Sequence, residues 1–202
     1  MKQILMIDVS PRGAASGSRV AADRLAARLA AIHPAARLVR RDLAATPLPH
    51  LDAATLDVIA ARDPANPAPP TDLARLSDEL TDELLASDCL VIATPMWNFG
   101  IPSMLKAWID LVVRPGRTFQ YGDAGVLGLA QGKRAILLPA SGGVFSEGPW
   151  RPFDFVEPYL RHVLGFIGIS DVETIRIEGM NIPGLAEQAI PNALSAIDNL
   201  AG

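Results

Sequence analysis

The chain predicts one α/β domain, a three-layer sandwich in which helices cover both faces of a five-stranded parallel sheet. Three observations carry that prediction. Short apolar runs alternate with helical stretches over all 202 residues. Half of the residues are hydrophobic and only 20% are charged, enough apolar material for one sizeable core. No internal repeat or low-complexity break divides residues 1–202, so the strand–helix alternation implies right-handed crossovers within a single sheet.

The elements follow in order. Gln3–Val9 is a short apolar run ending in Ser10-Pro11-Arg12-Gly13, which marks a buried strand entering a loop. Ala21, Leu25, Leu29 and Ile32 recur at helical spacing, with Ser16 and Ser18 available as caps and His33-Pro34 as the stop. Residues 36–41 form a second strand. The proline-rich stretch 43–70 carries one short helix near Asp52–Ala60. Thr71 and Asp72 open a long helix whose Leu73, Leu76, Leu80 and Leu84 share one face. Cys89–Ala93 is the third strand, 94–100 a loop, and Pro102–Val113 a helix. Residues 114–132 are a second irregular excursion. Arg134–Leu138 is the fourth strand, Ser141-Gly142-Gly143 a glycine loop, and Pro152–Leu164 a helix. Val172–Ile177 and Leu185–Leu200 supply the last strand and helix.

Composition excludes several function classes. A single cysteine, Cys89, closes no internal disulfide, and His33, His50 and His162 are too scattered to form a metal cluster. The net charge of −4 gives no basic footprint for nucleic acid. No apolar stretch approaches the ~20 residues that span a bilayer, and Asp8 interrupts the only amino-terminal run that could imitate a signal peptide. The expectation is a cytoplasmic protein. Cys89 and His162 read as structural residues, His33 and His50 as surface residues. Asp8 suggests a phosphoacceptor, but Ala93-Thr94 offers no aspartate at the end of the third strand, so that idea fails.

In parallel sheets ligands settle beyond the carboxyl ends of the strands, where the strand order reverses. The loops after strands one, three and four therefore form the candidate site. The first, Ser10–Arg19, sets three hydroxyls and two glycines before a helix amino terminus, where unpartnered amides and the helix dipole favour a phosphate. It matches neither the triphosphate-loop pattern nor the dinucleotide fingerprint, and helix capping by Ser16 and Ser18 is the alternative. The second, Thr94–Pro102, carries Met96, Trp97, Asn98 and Phe99, aromatic and polar groups suited to a flat ring. Folding back onto the core is the alternative there. The third, Ala140–Gly143, permits close backbone approach.

Together these loops, with Lys106-Ala107-Trp108-Ile109-Asp110 and Gly165-Phe166-Ile167-Gly168, strongly resemble the FMN-dependent NADH-azoreductase family, the flavodoxin-like NAD(P)H:quinone oxidoreductases. The resemblance covers essentially the whole chain. It implies a flavodoxin-like fold and a tightly but non-covalently bound FMN. Ser10, Ser16, Gly17 and Ser18 would hold the phosphate, and Met96, Trp97, Asn98 and Phe99 would wrap the ribityl chain and ring. Ala140, Ser141, Gly142 and Gly143 would contact the pyrimidine side. Family members commonly carry a hydroxyl residue at position 140, where this chain has Ala140 after Pro139, so Ser141 or backbone amides would have to substitute.

The resemblance further implies hydride transfer from NADH or NADPH to the flavin, then two-electron reduction of a quinone or azo acceptor in the same vacated pocket, by a ping-pong cycle without a side-chain nucleophile. It implies a homodimer in which Phe119 and Tyr121 lie over the partner's flavin, with Phe166 or Val163 as an apolar wall. Pinning of a long loop is the alternative role for Phe119 and Tyr121. Arg62 is a candidate for orienting an anionic acceptor, or else a solvated surface residue. A different class remains open, a flavodoxin-like FMN electron carrier without nicotinamide turnover. Such carriers are usually far more acidic.

Overall fold

The computed structural model describes residues 1–60, 69–123 and 125–200. The sheet consists of β1 (Gln3–Asp8), β2 (Arg37–Asp42), β3 (Cys89–Pro95), β6 (Arg134–Ala140) and β7 (Asp171–Thr174), all parallel, in the order β2-β1-β3-β6-β7. Between β3 and β6 the chain inserts an antiparallel hairpin, β4 (Phe119–Gly122) and β5 (Gly125–Gly128). The helices are α1 (Gly17–Ile32), α2 (Ala53–Ile59), α3 (Asp72–Ala86), α4 (Ser103–Val112), α5 (Glu157–Phe166) and α6 (Ala186–Asp198). The expected flavodoxin-like sandwich with five parallel strands is the observed fold.

The alternation of side chains along each strand assigns the two helix layers. Leu5, Ile7, Leu90, Ile92 and Leu137 face one side, where Leu80, Leu84, Trp108, Leu111 and Leu160 from α3, α4 and α5 pack. Ile4, Met6, Val91, Ile136 and Leu138 face the other and meet Leu25 and Leu29 of α1 and Ile197 of α6. Central strands buried on both faces read as continuous apolar runs, which is why they are legible in the sequence. The edge strand β2 reads differently. Its Arg37, Arg40 and Arg41 keep an exposed edge charged, which disfavours pairing with another chain.

Three sequence expectations are corrected. The helix expected from Pro152 starts at Glu157, and residues 148–153 form a 3₁₀ turn instead. Asp154 Oδ1 accepts the Val156 and Glu157 N–H groups at 2.9 and 3.2 Å and so defines the true start. The excursion 114–132 is not irregular, because Phe119–Gly128 closes into the hairpin. The last strand ends at Thr174, and Ile177 makes only an isolated bridge to Ala140. Pro139 removes one rung from β6 beyond the end of β7, and the pairing continues around it: the Ile175 N–H donates to the Leu137 carbonyl and the Ile177 N–H to the Pro139 carbonyl, both at 2.9 Å.

Candidate functional site

The sheet order reverses between β1 and β3, and a crevice opens there beyond the strands' carboxyl ends. It has a volume of about 200 Å³, and loops after β1, β3 and β6 all reach it through Ser10, Ser16, Gly17, Met96, Trp97 and Ser141. Ala140 and Gly142 complete its floor. Of the predicted cofactor residues, Phe99 and Gly143 line the adjoining cavity instead. Ser18 lies fully buried behind Ser16, their hydroxyls 3.1 Å apart.

The first loop bears on the choice between helix cap and ligand cradle. Ser16 occupies the N-cap position of α1, yet its side chain makes no cap hydrogen bond. The first intrahelical bond runs from the Val20 N–H to the Ser16 carbonyl at 3.0 Å, so the Gly17, Ser18 and Arg19 amides have no intrahelical acceptor. Buried hydroxyls with capacity to spare, beside amides at a positive helix end, are the donor set a phosphate requires. Arg19 braces the loop from behind: its Nε donates to the Ser10 carbonyl at 2.6 Å and its guanidinium pairs with Asp42 at 2.7 Å. The Arg19 hydrogen bond holds the Asp42 carboxyl below the usual carboxylate range, against opposing burial and with help from the Ala45 and Ala44 N–H groups.

The second loop is a tight reversal. Trp97 and Gly100 exchange both backbone hydrogen bonds at 3.0 Å, while Asn98 and Phe99 adopt φ of 48° and 70°. Two consecutive left-handed residues define a type I′ turn, which usually takes Asn-Gly. Placing phenylalanine at the second position costs on the order of 1–3 kcal/mol of backbone strain. The turn lifts Trp97, Asn98 and Phe99 into solvent at the crevice mouth, with Trp97 41% and Phe99 43% exposed. Met96 turns inward onto the core. The loop is not folded back.

The third loop works through backbone. The Ser141 hydroxyl donates to the Gly143 carbonyl at 2.8 Å, so it does not replace the hydroxyl expected at position 140 as a donor toward the crevice. Among the described residues, the Gly142 and Gly143 N–H groups have no partner, which leaves backbone amides as the substitutes. A β-carbon on Gly142 would lie 2.4 Å from Asn181 Nδ2, so glycine leaves the room that the Asn181 side chain occupies over this loop. Met180 and Asn181 line the crevice and escaped the sequence reading, as did Arg12 and Ala15. They bear no pattern of their own. The signal lies in Gly142, which needs the close neighbour.

Phe119, Tyr121 and Phe166 come together elsewhere. Phe119 packs on Phe166 at 4.6 Å and edge-on to Tyr121 at 5.5 Å. The hairpin follows the end of α4, precedes the first residue of β6, and bonds through the Ala130 N–H to the Ile167 carbonyl at 2.8 Å. That places the trio at the amino edge of the sheet, opposite the crevice of the same chain. Tyr121 is 75% exposed there. Val163 and His162 line a neighbouring cavity of about 350 Å³ with Tyr159 and Phe166. Arg62 lies outside the described residues. Cys89 is buried, and burial pushes its thiol up to about 11, as suits a core residue. His50 is exposed, and His33, half-buried, ends α1. Among the described residues there is no His, Cys, Asp or Glu cluster able to hold a metal, and no helix long and apolar enough to cross a membrane.

The parallel sheet and the three-loop crevice at its switch point define a flavodoxin-like protein. A family model described as "Flavodoxin-like fold" matches residues 2–201. The chain is 68% identical over 200 residues, 99% of each chain, to an FMN-dependent NADH:quinone oxidoreductase of Beijerinckia indica. Among solved structures it is similar to azoreductase AzrA, with a TM-score of 0.90 and 29% identity over 97% of both chains. A Bacillus anthracis azoreductase gives a TM-score of 0.87 and 30% identity, covering 98% of this chain and 97% of that one. The chain belongs to the flavodoxin-like FMN-dependent NADH-azoreductase family.

Proposed function

We propose that this protein is an FMN-dependent NADH:quinone oxidoreductase that also cleaves azo compounds reductively, in a ping-pong cycle. The observation that carries the reading is the continuity of one crevice, with buried hydroxyls and open helix amides at one end and a strained aromatic turn at the other. The residues fit FMN. Ser10, Ser16, Ser18 and the amides of Gly17 and Ser18 would hold its phosphate, while Met96, Trp97, Asn98 and Phe99 would flank its ring.

Bound FMN supplies two-electron chemistry between a reduced nicotinamide and an acceptor. The protein's own groups do the rest. The unpartnered Gly142 and Gly143 amides would supply fixed dipoles to stabilise negative charge on the reduced ring, a preorganised stabilisation that needs no side-chain acid. Trp97 and Phe99 would shield that ring from water and offer flat apolar faces to the donor and then the acceptor. Phe119, Tyr121 and Phe166 lie at the wrong edge to serve their own crevice, which supports a homodimer that brings them to the partner's. A nicotinamide donor, with NADPH as an alternative to NADH, supports a cytoplasmic location.

The test is direct. Purified protein should carry flavin absorbance, lose it on anaerobic addition of NADH, and regain it with benzoquinone. Initial rates should give parallel double-reciprocal lines. A yellow protein that NADH does not bleach would instead be the electron carrier.

A further inference from the structure

Beside the crevice lies a larger, almost wholly apolar bay of about 690 Å³, whose walls include Phe99, Val144, Phe145, Pro149, Trp150 and Ile182. Three rings build it with near-equal spacing. Phe99 and Trp150 are parallel, 11° apart in plane at 6.3 Å between centroids, and Phe145 stands edge-on to both, also at 6.3 Å. Phe153 closes the cluster at 5.9 Å from Phe99 and 5.5 Å from Trp150. The rings pack on one another and together present a broad aromatic wall to solvent, against which a flat, fused ring system can stack.

The aromatic wall is held, not draped. Glu178 accepts the Phe145 and Ser146 N–H groups at 2.9 and 3.1 Å, fixing one end of the segment. At the other end the Phe155 N–H donates to the Phe99 carbonyl at 3.1 Å, and Asp154 pairs with Arg176 at 2.6 Å. The aromatic segment is therefore tied directly to the strained turn of the crevice, and Phe99 is common to both. Yet Trp150 remains 54% exposed, a large apolar face left in water. The bay's lining carries one charged side chain, Glu147, at its solvent edge.

We propose that this bay is the part of the acceptor site that selects uncharged fused-ring acceptors, with Trp150 as the specificity-determining residue and Glu147 disfavouring anionic ones. The inference rests on the quinone reduction proposed above and adds the acceptor class. One-ring acceptors reach the crevice without filling the bay. Two- and three-ring acceptors gain the stacking face of Trp150. A sulfonated ring would bring its charge toward the Glu147 carboxylate.

The experiment compares the FMN-loaded wild-type protein with Trp150→Ala, Trp150→Phe and Glu147→Gln, using benzoquinone, a neutral naphthoquinone and a sulfonated naphthoquinone. Trp150→Ala should lower the neutral-naphthoquinone to benzoquinone ratio of kcat/KM about tenfold, in line with ~1–1.5 kcal/mol for lost ring stacking; Trp150→Phe should restore most of it. Glu147→Gln should lower KM for the sulfonated quinone about threefold relative to the neutral one. A ratio unmoved by Trp150→Ala overturns the proposal, as does a change from dimer to monomer by sedimentation in that variant, which would make the bay an interface between copies. Binding is read separately by quenching of tryptophan fluorescence with the neutral naphthoquinone. Quenching that Trp150→Ala abolishes, in a protein that NADH does not bleach, would leave the bay intact and sink the oxidoreductase reading alone.

Discussion

The two ends of the sheet use similar residues to different effect. At the carboxyl edge, Trp97 and Phe99 sit on a strained turn beside buried hydroxyls and open amides, so one chain brings together the groups proposed to hold a flavin phosphate and ring. At the amino edge, Phe119, Tyr121 and Phe166 form an equally aromatic cluster with no cradle beside it, and its outermost ring points into solvent. An aromatic loop is therefore not a site by itself. The polar donor set distinguishes the proposed cofactor end from the end proposed to serve a partner chain.

The largest expected effect breaks the carboxyl edge alone. Ser16→Ala with Ser18→Ala removes two hydroxyl donors to a charged group, worth about 1.5–3 kcal/mol each. FMN affinity should fall at least ~100-fold. The protein should emerge colourless from gel filtration and recover NADH oxidation only with millimolar FMN added. Full retention of flavin would reduce the loop to a packing feature.

Gly142→Ala is the next step down. The new methyl must displace the Asn181 side chain, and overpacking of this kind costs about 1–3 kcal/mol. FMN affinity should drop about tenfold by fluorescence titration, with the melting temperature lowered by a few degrees. An unchanged affinity would mean that residues 179–181 contribute nothing to the cradle.

How much of this was legible beforehand follows from where the information lies. β1, β3 and β6 were visible because strands buried on both faces give unbroken apolar runs, and the three loops after them follow from parallel topology. Ser10, Ser16 and Gly17 fell into place because loop and helix start are contiguous in sequence. Asn181 did not, since it reaches Gly142 through a backbone contact across 39 positions that leaves no local pattern. The helix start at Glu157 was missed because Pro152 resembles a first-turn proline, and the decisive cap is Asp154 two residues later. The hairpin was hidden by its glycines, Gly122, Gly125 and Gly128, which read as loop but permit a tight reversal.

The amino edge is broken by Tyr121→Ala. If the hairpin covers a partner's crevice, acceptor kcat/KM should fall about fivefold while FMN affinity holds. Mixing makes the contrast sharper. Tyr121→Ala chains unfolded and refolded together with Ser16→Ala/Ser18→Ala chains should recover activity, because the hybrid holds one crevice with an intact cradle from one chain and an intact Tyr121 from the other. Recovery cannot occur if each chain serves itself.

The smallest effect is acid-dependent and confined to the carboxyl edge. Asp42 titrates below its usual range because Arg19 hydrogen-bonds it, and Arg19 in turn holds the Ser10 carbonyl of the cradle. A lowered folded value means that this stabilisation is fully present above about pH 4 and is lost as pH falls through the folded value. With the Asp42 side chain one-third exposed, the contribution is at most ~1 kcal/mol. Asp42→Asn should therefore be slightly less stable than wild type at pH 7, and the gap should narrow as the pH falls below about 4. Flavin release has a second, earlier source, protonation of the phosphate near pH 6, which the variant should retain. Only release below pH 4 should differ between the two proteins. At the amino edge Asp78 pairs with both Arg114 and Arg117 at 2.6 Å, so Asp42→Asn should leave the hybrid-chain recovery untouched. A variant that lost that recovery would join the two edges through the fold, and their separation would have to be abandoned.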